Sequence, residues 1–171
     1  MSQTKSYRHA GAIGDTPQAD FWSKKAQNGK QLSFKHLKQL KETNACSKCD
    51  LSDADLSDLD LAKAKINRTN LSGANLSGAN LMFANLVGSR FIGANMTEIN
   101  LSAANASGAN LKGANLTDAK LIRSRLRGAN LAETDLTGAN MKGANLSDIS
   151  QDKAIFCNTI MSDGRVERSG C

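Results

Sequence analysis

The sequence predicts an all-β solenoid over residues 50–150, and three regularities of the chain predict it. Every fifth residue from Leu51 to Leu146 is apolar, and Leu occupies 15 of these 20 positions. A small or apolar residue, usually Ala, stands two positions before each of them, most often followed by Asn or Asp. Gly stands two positions after the apolar residue in nine units, at 73, 78, 88, 93, 108, 113, 128, 138 and 143.

A period of five fits neither a regular helix nor a flat strand. On an α-helix five residues advance roughly 500°, so successive Leu side chains would scatter around the axis. On a flat strand an odd period sends alternate Leu side chains to opposite faces. If all of them share one core, the chain must turn every five residues, and Gly and Asn supply the turn residues at that interval.

The repeat unit A-N-L-x-x, clearest in GANLSGANL at 73–81, resembles the pentapeptide-repeat family. The resemblance implies a right-handed quadrilateral β-helix, in which four repeat units form the four sides of each coil. Residues 51–146 would then form about five coils. Two end segments, LKQLKETNACSKCDLSDADL at 37–56 and FCNTIMSDGRVERSGC at 156–171, are similar to the ends of small cyanobacterial and thylakoid-lumen members.

The repeat is flanked by segments of different composition, which predict four regions. Residues 1–30 are interpreted as a flexible basic arm, and residues 31–49 as a helical cap that contains a CxxC motif. In that cap Ser33 can N-cap a helix over 34–43 that places Phe34, Leu37 and Leu40 on one face. Residues 151–171 are interpreted as a C-terminal cap and tail, with a tight turn at SDGR, 162–165.

The net charge of +6 lies entirely in the N-terminal part of the chain. Residues 1–49 carry nine Lys and Arg against three acidic residues, whereas residues 50–148 carry ten of each sign. Neither an apolar run long enough to span a membrane nor the apolar core of a secretory signal is present. These features predict a cytoplasmic protein without a transmembrane segment, while the family resemblance also allows the thylakoid lumen or the periplasm.

The four cysteines cannot share one site if five coils separate the two pairs. Coils stacked at about 4.8 Å place the pairs about 24 Å apart, which neither zinc–thiolate bonds nor a disulfide can span. Cys157 and Cys171 are predicted to form a disulfide that locks the cap, provided that the compartment is oxidising. Cys46 and Cys49 form either a second disulfide or buried thiols, and a redox role for CSKC is the weaker alternative.

No catalytic constellation is visible, and the sequence predicts a protein that is not an enzyme. His9 and His36 are the only histidines, and the glycines are turn residues rather than a phosphate-binding loop. We therefore expect no catalytic, cofactor or metal site and no cofactor.

The outward positions predict a protein-binding scaffold with an unidentified partner. The non-consensus stretch LMFANLVGSRFIG at 81–93 places four apolar side chains outward, which predicts a contiguous partner patch. These four are Met82, Phe83, Val87 and Ile92.

Two other functions are compatible with the charge pattern. A basic corner around Arg123, Arg125 and Arg127, together with the basic arm, predicts polyanion or nucleic-acid binding as an alternative. One acidic side of the coil would suit a DNA mimic of the kind that protects gyrase in some family members. The neutral solenoid and the scarcity of aromatic residues make both alternatives weaker than a protein partner.

Overall fold

The chain divides into two units, Met1–Gln31 and Leu32–Cys171, and the computed structural model describes residues 33–171, within the second unit. The predicted arm at 1–30 lies outside the described residues. From Ala45 onward the chain winds into coils in which residues 20 positions apart pair through single parallel β-bridges. The first bridge joins Ala45 to Lys65, and the last joins Asn140 to Ile160.

Each five-residue unit combines one tight turn with hydrogen bonds to the coils on both sides. In the unit 71–75 the Ala74 N–H donates to the Leu71 carbonyl at 3.1 Å, which closes a four-residue turn around Gly73 at φ +69°. Leu71 N–H donates to Arg90 in the following coil at 2.7 Å, and Asn75 N–H donates to Ala54 in the preceding coil at 3.0 Å. A positive φ at the third residue is the mark of a type II turn, and this is why Gly recurs there.

The interior is built from the apolar side chains at the start of each unit. Nearly all are fully buried, and the Ala residues two positions before them fill the corners of the coil. Ala106 is the smallest of the inward side chains at the start of a unit, since most units have Leu at the same position. The four central residues of the coil that contains it are Phe91, Met96, Leu101 and Ala106.

Hydroxyl side chains replace the inward Ala at five positions, and four of them are satisfied by the backbone. The hydroxyls of Thr69, Ser89, Thr134 and Thr159 each donate to a carbonyl 23 residues earlier in the chain. Their donor–acceptor distances run from 2.5 to 2.9 Å. The buried Ser124 hydroxyl has no such partner among the described residues.

A helix, α1, covers residues 33–43 and leads directly into the first coil. Asn44 ends it in the left-handed conformation, at φ 53°, with its N–H donating to the Leu40 carbonyl at 2.8 Å. Leu40 is fully buried and Leu37 is half-buried, but Phe34 is 71% exposed. Leu37 and Leu40 pack against the core, and His36 is hydrogen-bonded to Asp50 in the first coil, whereas Phe34 in the first turn of α1 remains exposed.

The C-terminal end forms a short antiparallel hairpin. Strand β1, Thr159–Ile160, pairs with strand β2, Val166–Glu167, and Ile160 stands opposite Val166. Further on, the Ser169 carbonyl accepts a hydrogen bond from Phe156 N–H at 3.0 Å. The tail thereby supplies acceptors to the last coil, which has no following coil to supply them.

Among the described residues, no helix is both long enough and apolar enough to cross a membrane.

Candidate functional site: a groove on one side of the coil

One side of the coil is here called the groove side, and it is defined by the second and third residues of every fourth unit. Because every fourth unit occupies the same side of successive coils, these pairs stack directly on one another. Phe83 N–H donates to the Ser102 carbonyl at 3.1 Å, and Ala103 N–H donates to Ile122 at 2.9 Å. The stacked pairs are residues 62–63, 82–83, 102–103, 122–123 and 142–143.

A shallow groove of about 680 Å³ runs along this side. It forms because small side chains alternate with large ones from coil to coil. Ser102 and Ala103 form a low step between the large pairs at 82–83 and 122–123, and Gly143 forms a second low step. The lining residues are Met82, Phe83, Ser102, Ala103, Ile122, Arg123, Lys142, Gly143 and Ser162.

Phe83 is the most unusual residue of the groove side. Its φ is +61°, the left-handed conformation that the repeat imposes at this position and that Lys63, Ala103 and Arg123 on the same side also adopt. Nine equivalent turn positions in the repeat hold Gly, which adopts this conformation without steric penalty. The ring is nevertheless 58% exposed, so burial in the core does not compensate for the strain.

The groove carries positive charge at one end. Arg123 and Lys142 lie on neighbouring coils, joined by a hydrogen bond from Arg123 N–H to the Lys142 carbonyl at 2.9 Å. Two cations of the repeat have acidic partners, Lys112 with Glu133 at 3.4 Å and Arg127 with Asp148 at 3.3 Å. Within residues 33–171 neither Arg123 nor Lys142 has an ion-pair partner.

The predicted partner patch does not hold together as one surface. Met82 and Phe83 lie on the groove side, Val87 lies on the next side, and Ile92 lies on the side after that. Since each side is one unit long and a coil has four sides, residues two units apart occupy opposite sides. Met82, Val87 and Ile92 are also half-buried rather than fully outward. The four side chains of the predicted patch are therefore distributed over three sides of the coil.

The three arginines of the predicted basic corner also separate. Arg123 lines the groove, Arg125 stands at the corner, and Arg127 lies on the next side. Arg127 is paired with Asp148 at 3.3 Å. They therefore do not present one continuous cluster of free guanidinium groups.

The acidic side of the coil is the side that carries Asp55, Asp58, Glu98, Asp118 and Asp135. The Asp55 carboxylate accepts a hydrogen bond from the Ser57 hydroxyl at 2.7 Å and a second one from the Ser57 N–H at 3.2 Å. These hydrogen bonds hold the pKa of the Asp55 carboxyl below its ordinary value. In the residues that the structure describes, no group of three or more His, Cys, Asp or Glu side chains is arranged to hold a metal ion.

The cysteines lie in two pairs, one at each end of the described solenoid. Cys46 and Cys49 lie at disulfide distance, with their Cα atoms 5.5 Å apart, and they are 0% and 7% exposed. Cys157 and Cys171 lie at disulfide distance with their Cα atoms 4.8 Å apart. Cys157 is half-buried and Cys171 is exposed.

Sequence reasoning found Met82, Phe83 and Arg123 but missed the residues that join them. Ser102, Ala103, Ile122 and Lys142 stand at multiples of four repeat units from Met82 or Phe83. That spacing was the available signal. Residues of consecutive units, such as those of the predicted patch, lie on consecutive sides of the coil, whereas residues 20 positions apart lie on the same side.

Comparison with protein-family models identifies the repeat. Three segments match the model for pentapeptide repeats, in eight copies: residues 46–81, 79–118 and 114–149. The chain belongs to the pentapeptide-repeat family. This confirms the predicted resemblance, and membership implies the predicted right-handed quadrilateral β-helix. Pentapeptide-repeat proteins are in general structural or interaction proteins.

Several solved pentapeptide-repeat structures are similar to this chain. Rfr23 from the cyanobacterium Cyanothece 51142 has a TM-score of 0.68 and 29% identity, over 75% of this chain and 98% of its own. A protein of the Arabidopsis thaliana thylakoid lumen is 24% identical over 72% of this chain and 70% of its own, with a TM-score of 0.22. QnrB1, a plasmid-mediated fluoroquinolone resistance protein, is 19% identical over 64% and 78% respectively, with a TM-score of 0.31. A search of curated proteins finds no match.

Proposed function

We propose that this pentapeptide-repeat protein is a non-enzymatic scaffold that binds a protein partner, and that the groove side is the contact surface. The observation that carries the proposal is Phe83, an aromatic side chain that is 58% exposed on the groove side. Aromatic residues are enriched in the buried centre of protein interfaces, so an exposed ring beside a groove favours a protein partner that covers it.

The surroundings of Phe83 suit a protein partner. Binding energy at protein interfaces is concentrated in a few residues, among which aromatic side chains and Arg are frequent. The groove combines Phe83 with Arg123, and it adds the apolar side chains of Met82 and Ile122. Each turn of the groove side is held by backbone hydrogen bonds to the coils before and after it. A rigid surface of this kind loses little conformational freedom on binding, and this favours affinity.

The solenoid of the proposed scaffold is covered at both ends. We propose about five coils over residues 50–150, with α1 and residues 151–171 covering the two ends. The buried Leu40, and the hydrogen bond from Asp50 N–H to His36 Nδ1 at 3.1 Å, support α1 as the first cap. The hairpin of β1 and β2 supports the second.

The cysteine geometry supports a compartment in which disulfides persist. Both pairs have Cα separations within the usual range for a disulfide, 5.5 and 4.8 Å. Disulfides persist in oxidising compartments and are rare in the cytosol. We therefore propose the thylakoid lumen or a periplasm over the cytoplasm, with both pairs oxidised.

Site-specific photo-crosslinking tests the groove as the contact surface. Phe83 is replaced by p-benzoylphenylalanine, and a matched variant carries the same probe at Ile92 on the opposite side. We expect ultraviolet light to produce a defined protein adduct in extract from position 83 and not from position 92. The adduct partner, once purified, should bind the Phe83→Gly variant about tenfold or more weakly.

Two results would refute the proposal. One is the same set of adducts from both positions, which would mean that neither side selects a partner. The other is an affinity for the purified partner that Phe83→Gly leaves unchanged.

A further inference from the structure

We infer that the groove takes an acidic, apolar segment of the partner protein, with one apolar side chain beside Phe83 and a carboxylate at Arg123 and Lys142. This inference rests on the proposed function and adds the chemistry of the ligand. It is carried by two features of the groove side, the step at Ser102–Ala103 and the pair of cations without an acidic partner.

The step at Ser102–Ala103 has the width of one side chain. The pairs 82–83 and 122–123 lie two coils apart, so their backbones are separated by about 10 Å, twice the strand spacing of about 4.8 Å. Two van der Waals contact distances of about 4 Å account for most of that separation. One layer of atoms therefore fits between Phe83 and Ile122, above the small Ser102 and Ala103. A flat aromatic ring or an aliphatic side chain meets this requirement.

The positive end of the groove lies immediately beyond that step. Arg123 extends over the next coil, where a Cβ atom added at Gly143 would lie 3.3 Å from Arg123 Cγ. The absence of a side chain at Gly143 thus leaves the Arg123 side chain free to lie beside Lys142. Two like charges on adjacent coils repel each other, and an anion placed at both relieves that repulsion. A carboxylate also matches the planar donor geometry of a guanidinium group.

The same features favour a protein segment over a nucleic acid. Single-stranded nucleic acids stack their bases on successive aromatic rings along a basic track. The groove has only one ring, since Met82 and Ile122 are aliphatic and offer no flat π-face. The positive charge does not continue as a basic track, because the next position on this side is Asp163, which is ion-paired with Arg165.

A selection from a phage-displayed library of random twelve-residue peptides tests the inference. Peptides are selected on the full chain, and clones that also bind the Phe83→Gly variant are removed. We expect the remaining clones to share an aromatic or aliphatic residue with Asp or Glu within a few positions. Their affinity should fall about tenfold or more in Arg123→Glu/Lys142→Glu, and selection on that double variant should enrich Lys or Arg instead.

Matched controls lie away from the groove. Arg90→Glu reverses a charge at a distant corner, and Ile92→Ser removes an apolar side chain on the opposite side, so both should bind the selected clones like the parent chain. The inference is overturned if no Phe83-dependent clones emerge, or if they lack an acidic bias. It is also overturned if a fluorescent oligodeoxythymidine binds in a Phe83-dependent manner. A Phe83-specific protein adduct without acidic preference would overturn only the ligand chemistry and leave the scaffold proposal standing.

Discussion

At the scale of single residues, the third position of each unit decides both the turn and the surface. Its φ is positive in every repeat unit from 51 to 148 that carries Gly there, and equally in those that carry Asp, Glu, Lys, Arg, Ala or Phe. The glycines therefore identified this position in the sequence as a turn. They did not indicate that Phe83 would adopt the same backbone conformation, because the repeat and its neighbouring coils impose that conformation on whatever residue is present.

Removing the Phe83 side chain should stabilise the protein. Gly relieves the left-handed strain, so Phe83→Gly should raise the free energy of unfolding by about 1 kcal/mol. Phe83→Ala is the matched control, because it removes the ring but keeps a Cβ at positive φ. Urea denaturation measures both variants. A Gly variant no more stable than the Ala variant would show that Phe83 is not strained.

The coil around Ala106 should behave as one packing unit. Phe91 adds volume to the layer in which Ala106 lacks it, so the two substitutions are expected to be coupled. Phe91→Leu alone should destabilise by about 1 kcal/mol or more through lost volume, and Ala106→Leu alone should overpack the layer by a similar amount. The double variant should be destabilised by less than the sum of the two single effects, because the added and the removed volume compensate each other. A double-mutant cycle of unfolding free energies in urea measures this coupling. Additive effects would mean that the two side chains fill separate spaces.

At the scale of elements, the two ends differ in how they cover the coil. Helix α1 was predicted from Ser33 and from the spacing of Phe34, Leu37 and Leu40. Helical periodicity shows which side chains share a face, but it does not show how much of that face meets a neighbour. The contacts of α1 with the first coil begin at His36, which lies after Phe34, and this is why Leu40 is buried while Phe34 is exposed.

The two cysteine pairs should differ sharply in their reaction with reductant. Cys171 is exposed, so a mild thiol reductant should open Cys157–Cys171 in the native protein. Cys46 and Cys49 are buried, and that pair should react only after unfolding. Alkylation followed by mass spectrometry measures each pair separately. Equal reaction rates of both pairs under native conditions would contradict the expectation.

Loss of the C-terminal pair should weaken the cap without unfolding the repeat. The pair closes a loop with a sequence separation of 14. For a loop of this length the entropic stabilisation is about 3 kcal/mol. The free energy of unfolding of the variant Cys157→Ser/Cys171→Ser should therefore be lower than that of the oxidised parent chain by a comparable amount. Urea denaturation under non-reducing conditions measures the difference.

At the scale of the whole molecule, the groove depends on the repeat distance of four units. Deleting one unit, residues 106–110, should preserve the coil because the five-residue phase continues. It should rotate everything that follows by one side, which separates Ile122 and Arg123 from Phe83. Deleting residues 71–75 is the matched control, since it removes a unit of nearly the same sequence but leaves the groove aligned.

Both deletion variants should keep the circular dichroism spectrum of the parent chain. Binding of the partner crosslinked at position 83 should be lost only in the 106–110 deletion. If that variant still binds, the groove is not a composite of successive coils and the proposed site is wrong.

The sequence by itself determined a chain that turns every five residues around one core, because the period of five is local, and its resemblance to the pentapeptide-repeat family implied the β-helix. Leu at the first position, Gly at the third and Ala at the fourth specify which side chains point inward and where the chain turns. The tertiary structure decided which outward side chains become neighbours. Met82 lies far in sequence from Ile122 and Lys142 but close to Ile92, yet it shares a side only with the first two. The physical reason is that the coil closes after four units. Residues 20 positions apart therefore stack along the axis, whereas residues in neighbouring units lie on different sides of the coil.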